Sequence, residues 1–235
     1  MCTLEKRDKV FFLTLKGDTK RDEEHRLNPP LIASIRAALA QARAEAAVGS
    51  VLITQAEGRF FSNGLDLRVG AEADLFRMVD LFRGVVADLL SLPMPTIAAV
   101  TGHAAAAGLI LAMSHDYVVM TSSRGVMYLS ELDMAMSLPD YFTALIKGKV
   151  GSSTARRELA LRASKVGAEA AVRMGIVDAA YYSVEEVAAA AVRMAEDLGK
   201  RRWSGEAYAE IRKGLYPEVC GLLGLEVETV VPSKL

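Results

Sequence analysis

Short runs of β-forming residues alternate with longer stretches of helical periodicity along this chain, and that alternation constrains the fold more than any other feature. Apolar runs typical of buried strands occupy residues 10–15, 51–54, 95–100 and 116–120. Between them, apolar residues recur every three or four positions over 28–45 and 72–92, as in amphipathic helices. Strands that alternate with helices pair mostly in parallel, so the pattern predicts an α/β fold.

The pattern changes beyond Pro139, where helical segments follow one another. We predict helices at 141–149, 153–162, 168–174, 185–198 and 206–215. The last fifty or so residues carry no strand signal. We therefore divide the chain into a core at 1–180 and a helical region at 181–235, and we interpret Arg212 and Lys213 as part of a solvated helix face.

Charge, cysteine and histidine content exclude several classes of protein. The chain has 28 Lys and Arg residues against 29 Asp and Glu, so it lacks the basic excess that favours binding to nucleic acid or an anionic membrane. Cys2 and Cys220 have no paired spacing, and the three histidines form no metal-binding motif, so neither a disulfide framework nor a metal site is expected. No apolar run reaches the length of a membrane span, and we expect a soluble intracellular protein without membrane insertion.

The chain ends in Ser233, Lys234 and Leu235. A carboxy-terminal Ser-Lys-Leu is the address that the peroxisomal import receptor reads. The alternative is a chance tripeptide on a frayed end. Because the match falls on the last three residues, we favour the targeting interpretation and expect a peroxisomal protein with the import receptor as a partner.

A Ser-Asn-Gly turn follows the strand-like residues Phe60 and Phe61. Gly64 permits backbone angles that other residues avoid, which would let the N–H of Leu65 point into a pocket. The sequence therefore offers one candidate main-chain donor at this turn.

Four consecutive alanines, at 104–107, stand between a strand-like run and an apolar helix. Small side chains let a ligand approach the backbone, and the first turn of a helix has N–H groups without intrahelical acceptors. Two N–H groups that face one point form an oxyanion hole. The alternative is that these alanines serve only close packing.

These two motifs together resemble a known pair. Phe-Ser-Asn-Gly-Leu-Asp-Leu at 61–67 and Ile-Ala-Ala-Val-Thr-Gly-His-Ala-Ala-Ala-Ala-Gly at 97–108 are similar to the paired motifs of the crotonase (enoyl-CoA hydratase/isomerase) superfamily. The resemblance covers about residues 8 to 180, and with the peroxisomal ending it is greatest to plant peroxisomal Δ3,Δ2-enoyl-CoA isomerases. It implies a spiral core of ββα units, and a helical carboxy-terminal region that covers the active site and helps to form a homotrimer.

The resemblance also implies that two backbone N–H groups hold the thioester carbonyl of an acyl-CoA, here those of Leu65 and Ala107. Gly108 is a neighbouring alternative donor, because the superfamily usually has three glycines where this chain has Ala106, Ala107 and Gly108. Substrate contacts are expected at Ser62, Asn63, Gly64 and Gly108.

The acidic residues indicate which reaction to expect. Hydratases of the superfamily use two glutamates, and the first position aligns here with Ile110, which cannot activate water. The second aligns with Glu131, allowing for a one-residue insertion. One carboxylate suffices to take a proton from C2 of a 3-enoyl thioester and return it at C4 of the dienolate, so Glu131 is the expected catalytic residue of an isomerase of fatty-acid β-oxidation. The alternative is a surface carboxylate at the end of a strand.

Asp140 is a second catalytic candidate, because some peroxisomal isomerases have a glutamate after a proline at the matching position. Aspartate is shorter by one methylene, and Asp140 is equally well explained as a residue stabilised at a helix N-terminus.

No metal or redox cofactor is expected for this reaction, and CoA is part of the substrate. Two other functions stay open: a hydratase or thioester hydrolase of the same fold, and a non-catalytic acyl-CoA-binding protein.

Overall fold

The computed structural model describes residues 1–17, 23–68 and 72–231. Its strands are β1 (Cys2–Arg7), β2 (Val10–Leu15), β3 (Val51–Ala56), β4 (Phe60–Ser62), β5 (Thr96–Val100), β6 (His103–Ala105), β7 (Tyr117–Thr121), β8 (Met127–Tyr128) and β9 (Ala179–Tyr181). Its helices are α1 (Pro29–Ala44), α2 (Glu72–Leu90), α3 (Ala107–Met113), α4 (Asp140–Lys149), α5 (Ser153–Ala160), α6 (Ala168–Arg173), α7 (Val184–Lys200), α8 (Gly205–Leu215) and α9 (Pro217–Leu222). The tripeptide at 233–235 lies outside the described residues.

Two sheets organise the core. The larger sheet has the strand order β1-β2-β3-β5-β7-β9, and the smaller has the order β4-β6-β8. Strands β1 and β2 pair antiparallel, whereas the other neighbouring pairs of both sheets are parallel. The prediction of an α/β fold with mostly parallel pairing is confirmed.

The connection between the sheets determines where a site can form. Each strand of the smaller sheet directly follows a strand of the larger one: β4 follows β3, β6 follows β5, and β8 follows β7. The carboxyl ends of three adjacent parallel strands therefore lead into the same small sheet. Such ends are where ligands usually bind in open α/β sheets.

Both faces of the larger sheet are buried, as a parallel sheet requires. Along β5, Ile97 and Ala99 pack with the α7 residues Val187 and Ala191, whereas the alternating Ala98 and Val100 belong to the main core on the other face. This alternation explains why the strand has apolar residues on both of its faces.

Local chemistry sets the limits of several helices, and the sequence indicated two of them, the start of α1 and the end of α2. The side chain of Asn28 accepts a hydrogen bond from Leu31 N, with N and O 2.9 Å apart, and Pro29 occupies the first turn of α1. Helix α2 ends before Pro93, as predicted. Ser183 and Glu186 form a reciprocal capping box at the start of α7.

Strand β1 was not predicted from the sequence. Glu5, Lys6 and Arg7 point outwards on an edge strand, where charged side chains prevent pairing with another chain. These charges remove the alternation by which a half-buried strand is identified. Strands β4, β6, β8 and β9 are only two or three residues long, which is too short for any periodicity to appear.

The interpretation of Arg212 as part of a solvated helix face is wrong. Its side chain is 2% exposed and forms an ion pair with Asp116, with Nε and Oδ1 2.6 Å apart. Arg212 also donates hydrogen bonds to four backbone carbonyls that follow or end α2, those of Leu89, Leu90, Leu92 and Met94. Lys213 is likewise buried, and it pairs with Glu210.

The Asp116–Arg212 pair attaches the helical region to the core. Asp116 also accepts hydrogen bonds from the N–H and hydroxyl of Thr96. Burial alone would raise the pKa of Asp116, but the Arg212 charge and these donors hold that pKa below its usual value.

Among the described helices, none combines the length and the apolar character that a membrane crossing requires.

Candidate active site

A cavity of about 740 Å³ opens where the smaller sheet meets α2, α3 and α4. Its walls come from the loop after β4, one face of α2, the N-terminus of α3, and the segment from Tyr128 to Phe142. Leu65, Ala107, Glu131 and Asp140 all line it, so the structure brings together the four residues that the sequence selected as an oxyanion hole and its acids.

The N–H groups of Leu65 and Ala107 are available at this cavity. Ala107 is the first residue of α3, so its N–H has no intrahelical acceptor. Within residues 23–68 and 72–231, neither N–H donates a hydrogen bond to another described residue. A β-carbon placed on Gly64 would lie 3.4 Å from Ala107 N, which shows how closely the loop before Leu65 approaches the start of α3.

Ala106 has a backbone conformation that alanine rarely adopts, with φ 50° and ψ −123°. Its N–H donates to the Tyr128 carbonyl at 2.9 Å, and its own carbonyl accepts from Leu109 N and Ile110 N. The surrounding structure therefore fixes the peptide on both sides of Ala106. This conformation turns the chain sharply between β6 and α3, immediately before the Ala107 N–H.

Gly108 and Ser62 lie behind the cavity wall and support it. A β-carbon on Gly108 would overlap the backbone carbonyl of Ser62, so only glycine lets the loop after β4 approach α3 this closely. The Ser62 hydroxyl is buried and donates to the His25 carbonyl at 2.8 Å. The predicted substrate contacts at Ser62, Gly64 and Gly108 stay predictions, and in the structure these residues do not line the cavity.

Asn63 does line the cavity, next to Arg26. Both side chains donate to Glu24 Oε2, at 3.2 Å from Asn63 Nδ2 and 2.5 Å from Arg26 Nε. This part of the wall is therefore polar, and it carries a cation that a charge partner already holds in place.

Glu131 has the chemistry of a buried acid. Its side chain is 5% exposed, and Oε2 is buried without a hydrogen-bond partner among the described residues. Burial raises the pKa of the Glu131 carboxyl, and the N–H groups of Glu131 and Ser130 oppose this only in part. The alternative of an exposed surface carboxylate is wrong.

Asp140 has a different environment, although it lines the same cavity. Its Oδ1 accepts from Arg83 Nη2 at 3.0 Å and from Tyr141 N at 2.7 Å, at the first turn of α4. Arg83 also donates to the Leu222 carbonyl at 2.8 Å, and its guanidinium lies 4.8 Å from the centre of the Tyr141 ring. The Asp140 carboxylate is thus half-exposed and paired with a cation that joins α2, α4 and α9.

Sequence reasoning missed the α2 face of the cavity, which includes Phe76, Val79 and Arg83. The amphipathic pattern identified α2 as a helix, but its cavity-facing residues lie beside the core-facing ones and carry no separate signal. Phe142 lines the cavity, whereas Tyr141 is fully buried behind it and donates to the Val79 carbonyl at 2.8 Å.

Within the described ranges, no three His, Cys, Asp or Glu side chains lie close enough together to hold a metal ion.

The two sheets, the helical carboxy-terminal region and a buried acid beside free main-chain N–H groups define a protein of the crotonase fold class. The enoyl-CoA hydratase/isomerase family model matches residues 8–221, and the chain belongs to this family.

Curated relatives and solved structures agree with this assignment. The chain is 55% identical over the full length of both chains to "Enoyl-CoA delta isomerase 2, peroxisomal" of Arabidopsis thaliana. It is 51% identical to "Enoyl-CoA delta isomerase 1, peroxisomal" of the same plant, over 93% of this chain and 91% of the relative. An apo enoyl-CoA isomerase structure from Mycobacterium tuberculosis has a TM-score of 0.84 at 22% identity, covering 95% of this chain and 94% of that one, which confirms the fold.

Proposed function

We propose that this protein isomerises 3-enoyl-CoA to trans-2-enoyl-CoA, and the proposal is supported by three plant relatives that are named enoyl-CoA delta isomerases. The observation that carries the proposal is the placement of Glu131. Its buried, unpartnered carboxyl oxygen borders the same cavity as the free N–H groups of Leu65 and Ala107. One site thus provides a proton acceptor and two donors for a developing oxyanion.

The reaction follows from these groups. The thioester oxygen accepts hydrogen bonds from Leu65 N and Ala107 N, and the Glu131 carboxylate takes a proton from C2. The electron pair of that C–H bond then delocalises onto the thioester oxygen, which gives a dienolate that the two N–H groups stabilise. Glu131 returns the proton at C4, so the double bond moves from C3–C4 to C2–C3 and no atom is gained or lost. We assign no step to a metal or redox cofactor.

Hydration would require a second group to activate water. Ile110, at the position where hydratases of the superfamily have a glutamate, is fully buried in the core. Asp140 is engaged by Arg83 and by the N-terminus of α4. We therefore assign the proton transfers to Glu131 and give Asp140 the role of fixing α4 against α2.

The decisive experiment follows the products from a 3-enoyl-CoA with wild-type protein and with Glu131→Gln, Asp140→Asn and Asp133→Asn variants. We expect trans-2-enoyl-CoA without 3-hydroxyacyl-CoA or free CoA, and a fall in kcat of about 10²–10⁴-fold for Glu131→Gln. Asp133 is an exposed neighbour outside the cavity and serves as the control.

Each other outcome identifies a different function. A 3-hydroxyacyl product indicates a hydratase, and released CoA indicates a thioester hydrolase. Binding without turnover indicates an acyl-CoA-binding protein. A large loss in Asp140→Asn with Glu131→Gln still active transfers the catalytic role to Asp140.

We further propose that the protein works in peroxisomes and that the import receptor binds its carboxyl terminus. The names of two plant relatives include that location, and the Ser-Lys-Leu ending supports it. A fluorescent fusion that retains the free carboxyl terminus is expected to enter peroxisomes, and removal of residues 233–235 to leave it in the cytosol. Peroxisomal import of the shortened protein would contradict this assignment.

A homotrimer is the proposed assembly. The large apolar side chains of Ile211 and Leu215 on α8 are 67% and 66% exposed, which is typical of residues that another subunit covers. Light scattering after size-exclusion chromatography is expected to give three times the chain mass. A monomer at working concentration would contradict the proposal.

A further inference from the structure

Three exposed apolar side chains border the mouth of the cavity. Leu67 follows the Leu65 turn, Phe76 lies on α2, and Met134 belongs to a 3-10 turn at Leu132–Met134. Their exposed fractions are 41%, 65% and 41%. We call these three side chains the apolar rim. Large apolar groups clustered at a concave site usually contact a ligand or a partner.

The apolar rim continues an apolar wall inside the cavity. Val79 lies three residues after Phe76 on the same helix, and Met136 and Phe142 follow Met134 in the wall. Residues three apart share a helix face, so Phe76 and Val79 form one apolar surface. Helix α2 rises about 1.5 Å per residue, so its lining from Leu75 to Arg83 extends about 12 Å.

The cavity lining on α2 is apolar up to Val79, and the cation that follows, Arg83, is paired with Asp140. Arg26 and Asn63 line the part next to Glu24, where a hydrophilic group is preferred. A thioester whose oxygen is held at Leu65 N and Ala107 N has two substituents, CoA on sulfur and a hydrocarbon chain on the carbonyl carbon. The α2 side of the cavity, with the apolar rim, matches the hydrocarbon chain.

We propose that the apolar rim makes this site specific for long-chain acyl groups, with Phe76 as the main determinant of chain length. The proposal rests on the proposed function, because it takes the thioester to lie at the two N–H groups. Short chains end within the cavity and do not reach the apolar rim. Chains of about twelve carbons cover Phe76 and Met134 and remove their apolar surface from water.

The test uses two saturated acyl-CoAs, hexanoyl-CoA and dodecanoyl-CoA, which bind without reacting. Each fully buried methylene contributes about 0.8 kcal/mol, or about fourfold in affinity, and a rim open to water gives less. We expect calorimetry to show that wild-type protein binds dodecanoyl-CoA at least about tenfold more tightly than hexanoyl-CoA. For Phe76→Ser, the dissociation constant should rise about fivefold with dodecanoyl-CoA and less than about twofold with hexanoyl-CoA.

The control is Leu161→Ser, which removes an apolar side chain that is 69% exposed and outside the cavity. It should change neither dissociation constant. Met134→Ser repeats the test on another segment, so that a folding defect in one variant does not decide the result.

Equal affinity of wild-type protein for the two ligands would overturn the proposal, and so would an equal loss for both in Phe76→Ser. Self-association that Phe76→Ser abolishes, with the length dependence unchanged, would assign the apolar rim to a protein contact and also overturn it. The binding assay is independent of turnover. Length-dependent binding without isomerase activity would therefore refute the proposed reaction and leave the acyl-chain site standing.

Discussion

Gly108 of α3 and Ser62 of β4 meet backbone against backbone, and a β-carbon on Gly108 would overlap the Ser62 carbonyl oxygen. This contact holds the loop that carries Leu65 N beside the helix start that carries Ala107 N. The spacing of the two candidate oxyanion donors therefore depends on a residue that does not line the cavity.

We predict that Gly108→Ala damages both activity and stability. The added methyl must displace backbone, since its nearest neighbours are the carbonyl oxygen, the carbonyl carbon and the β-carbon of Ser62 rather than the end of a flexible side chain. The free energy of unfolding should fall by about 1–3 kcal/mol, and kcat/KM by about 10²-fold or more because the donors separate. Denaturant titration and the isomerase assay measure these effects. The control is Gly151→Ala, where no atom of the described residues lies within 4 Å of the new methyl. Equal behaviour of the two variants would contradict the prediction.

Gly108→Ala should lower the stability, whereas replacing the strained Ala106 by glycine should raise it. Glycine adopts φ 50° without the steric cost that alanine bears, so Ala106→Gly should raise the free energy of unfolding by about 1 kcal/mol. The hydrogen bonds that fix the neighbouring peptides involve only main-chain atoms, so activity should persist. Ala106→Val should lose stability and activity, because a β-branched residue disfavours this conformation. A less stable glycine variant would show that the Ala106 methyl contributes more by packing than it costs in strain.

The raised pKa of Glu131 predicts the pH dependence of turnover. The carboxylate must be ionised to take the proton from C2, so the acidic limb of kcat/KM should have its midpoint above the ordinary glutamate value of 4.5. Asp133→Asn should leave this midpoint unchanged. A midpoint at or below 4.5 would contradict the assignment of Glu131 as the base.

The same pKa shift has a consequence for folding. Because burial raises the folded-state pKa, the protonated form favours the folded state, and this stability is complete below the unfolded-state pKa. It is lost as pH rises through the folded-state pKa. Between the unfolded-state and the folded-state pKa, the free energy of unfolding of the wild type should therefore decrease relative to that of Glu131→Gln. Denaturant titrations at several pH values can measure this difference.

Arg212 should be among the most sensitive positions outside the cavity. Arg212→Met leaves the buried Asp116 carboxylate without its cation and leaves the carbonyls after α2 without donors. We expect a loss of about 3–5 kcal/mol in the free energy of unfolding. Lys200→Met removes one partner of an exposed ion pair on α7 and should cause no measurable change. If Arg212→Met changed the free energy of unfolding as little as Lys200→Met, the prediction would be wrong, and water would be replacing the contacts of Arg212.

The sequence predicted that Leu65, Ala107 and Glu131 would share one site, because each belongs to a short contiguous motif that resembles the superfamily. Leu65 follows the glycine turn, Ala107 begins the helix after the alanines, and Glu131 lies in the segment 127–133 that resembles the superfamily. The α/β alternation was equally readable, because the central strands have five or six residues of one periodicity and α1 and α2 have 16 and 19. Local pattern predicted the elements, and the resemblance to the superfamily selected the three residues.

What the sequence did not predict depends on contacts between distant residues. Arg83 lies 57 positions from Asp140, and Arg212 lies 96 positions from Asp116. A charged residue on a helix looks the same in sequence whether it faces water or a buried partner, so both arginines gave no signal. The close approach of Gly108 to Ser62 is of the same kind, because a backbone contact leaves no side-chain pattern.

The Arg212 contacts also limit how the helical tail may be exchanged. A chimaera that takes residues from about 200 onwards from a relative inherits a new α8 but keeps Asp116 and the carbonyls beyond α2. Unless the relative has an arginine at the position of Arg212, the chimaera buries the Asp116 carboxylate without a cation between α8 and the core. Engineering of subunit assembly through this tail must therefore transfer the aspartate and the arginine as one unit.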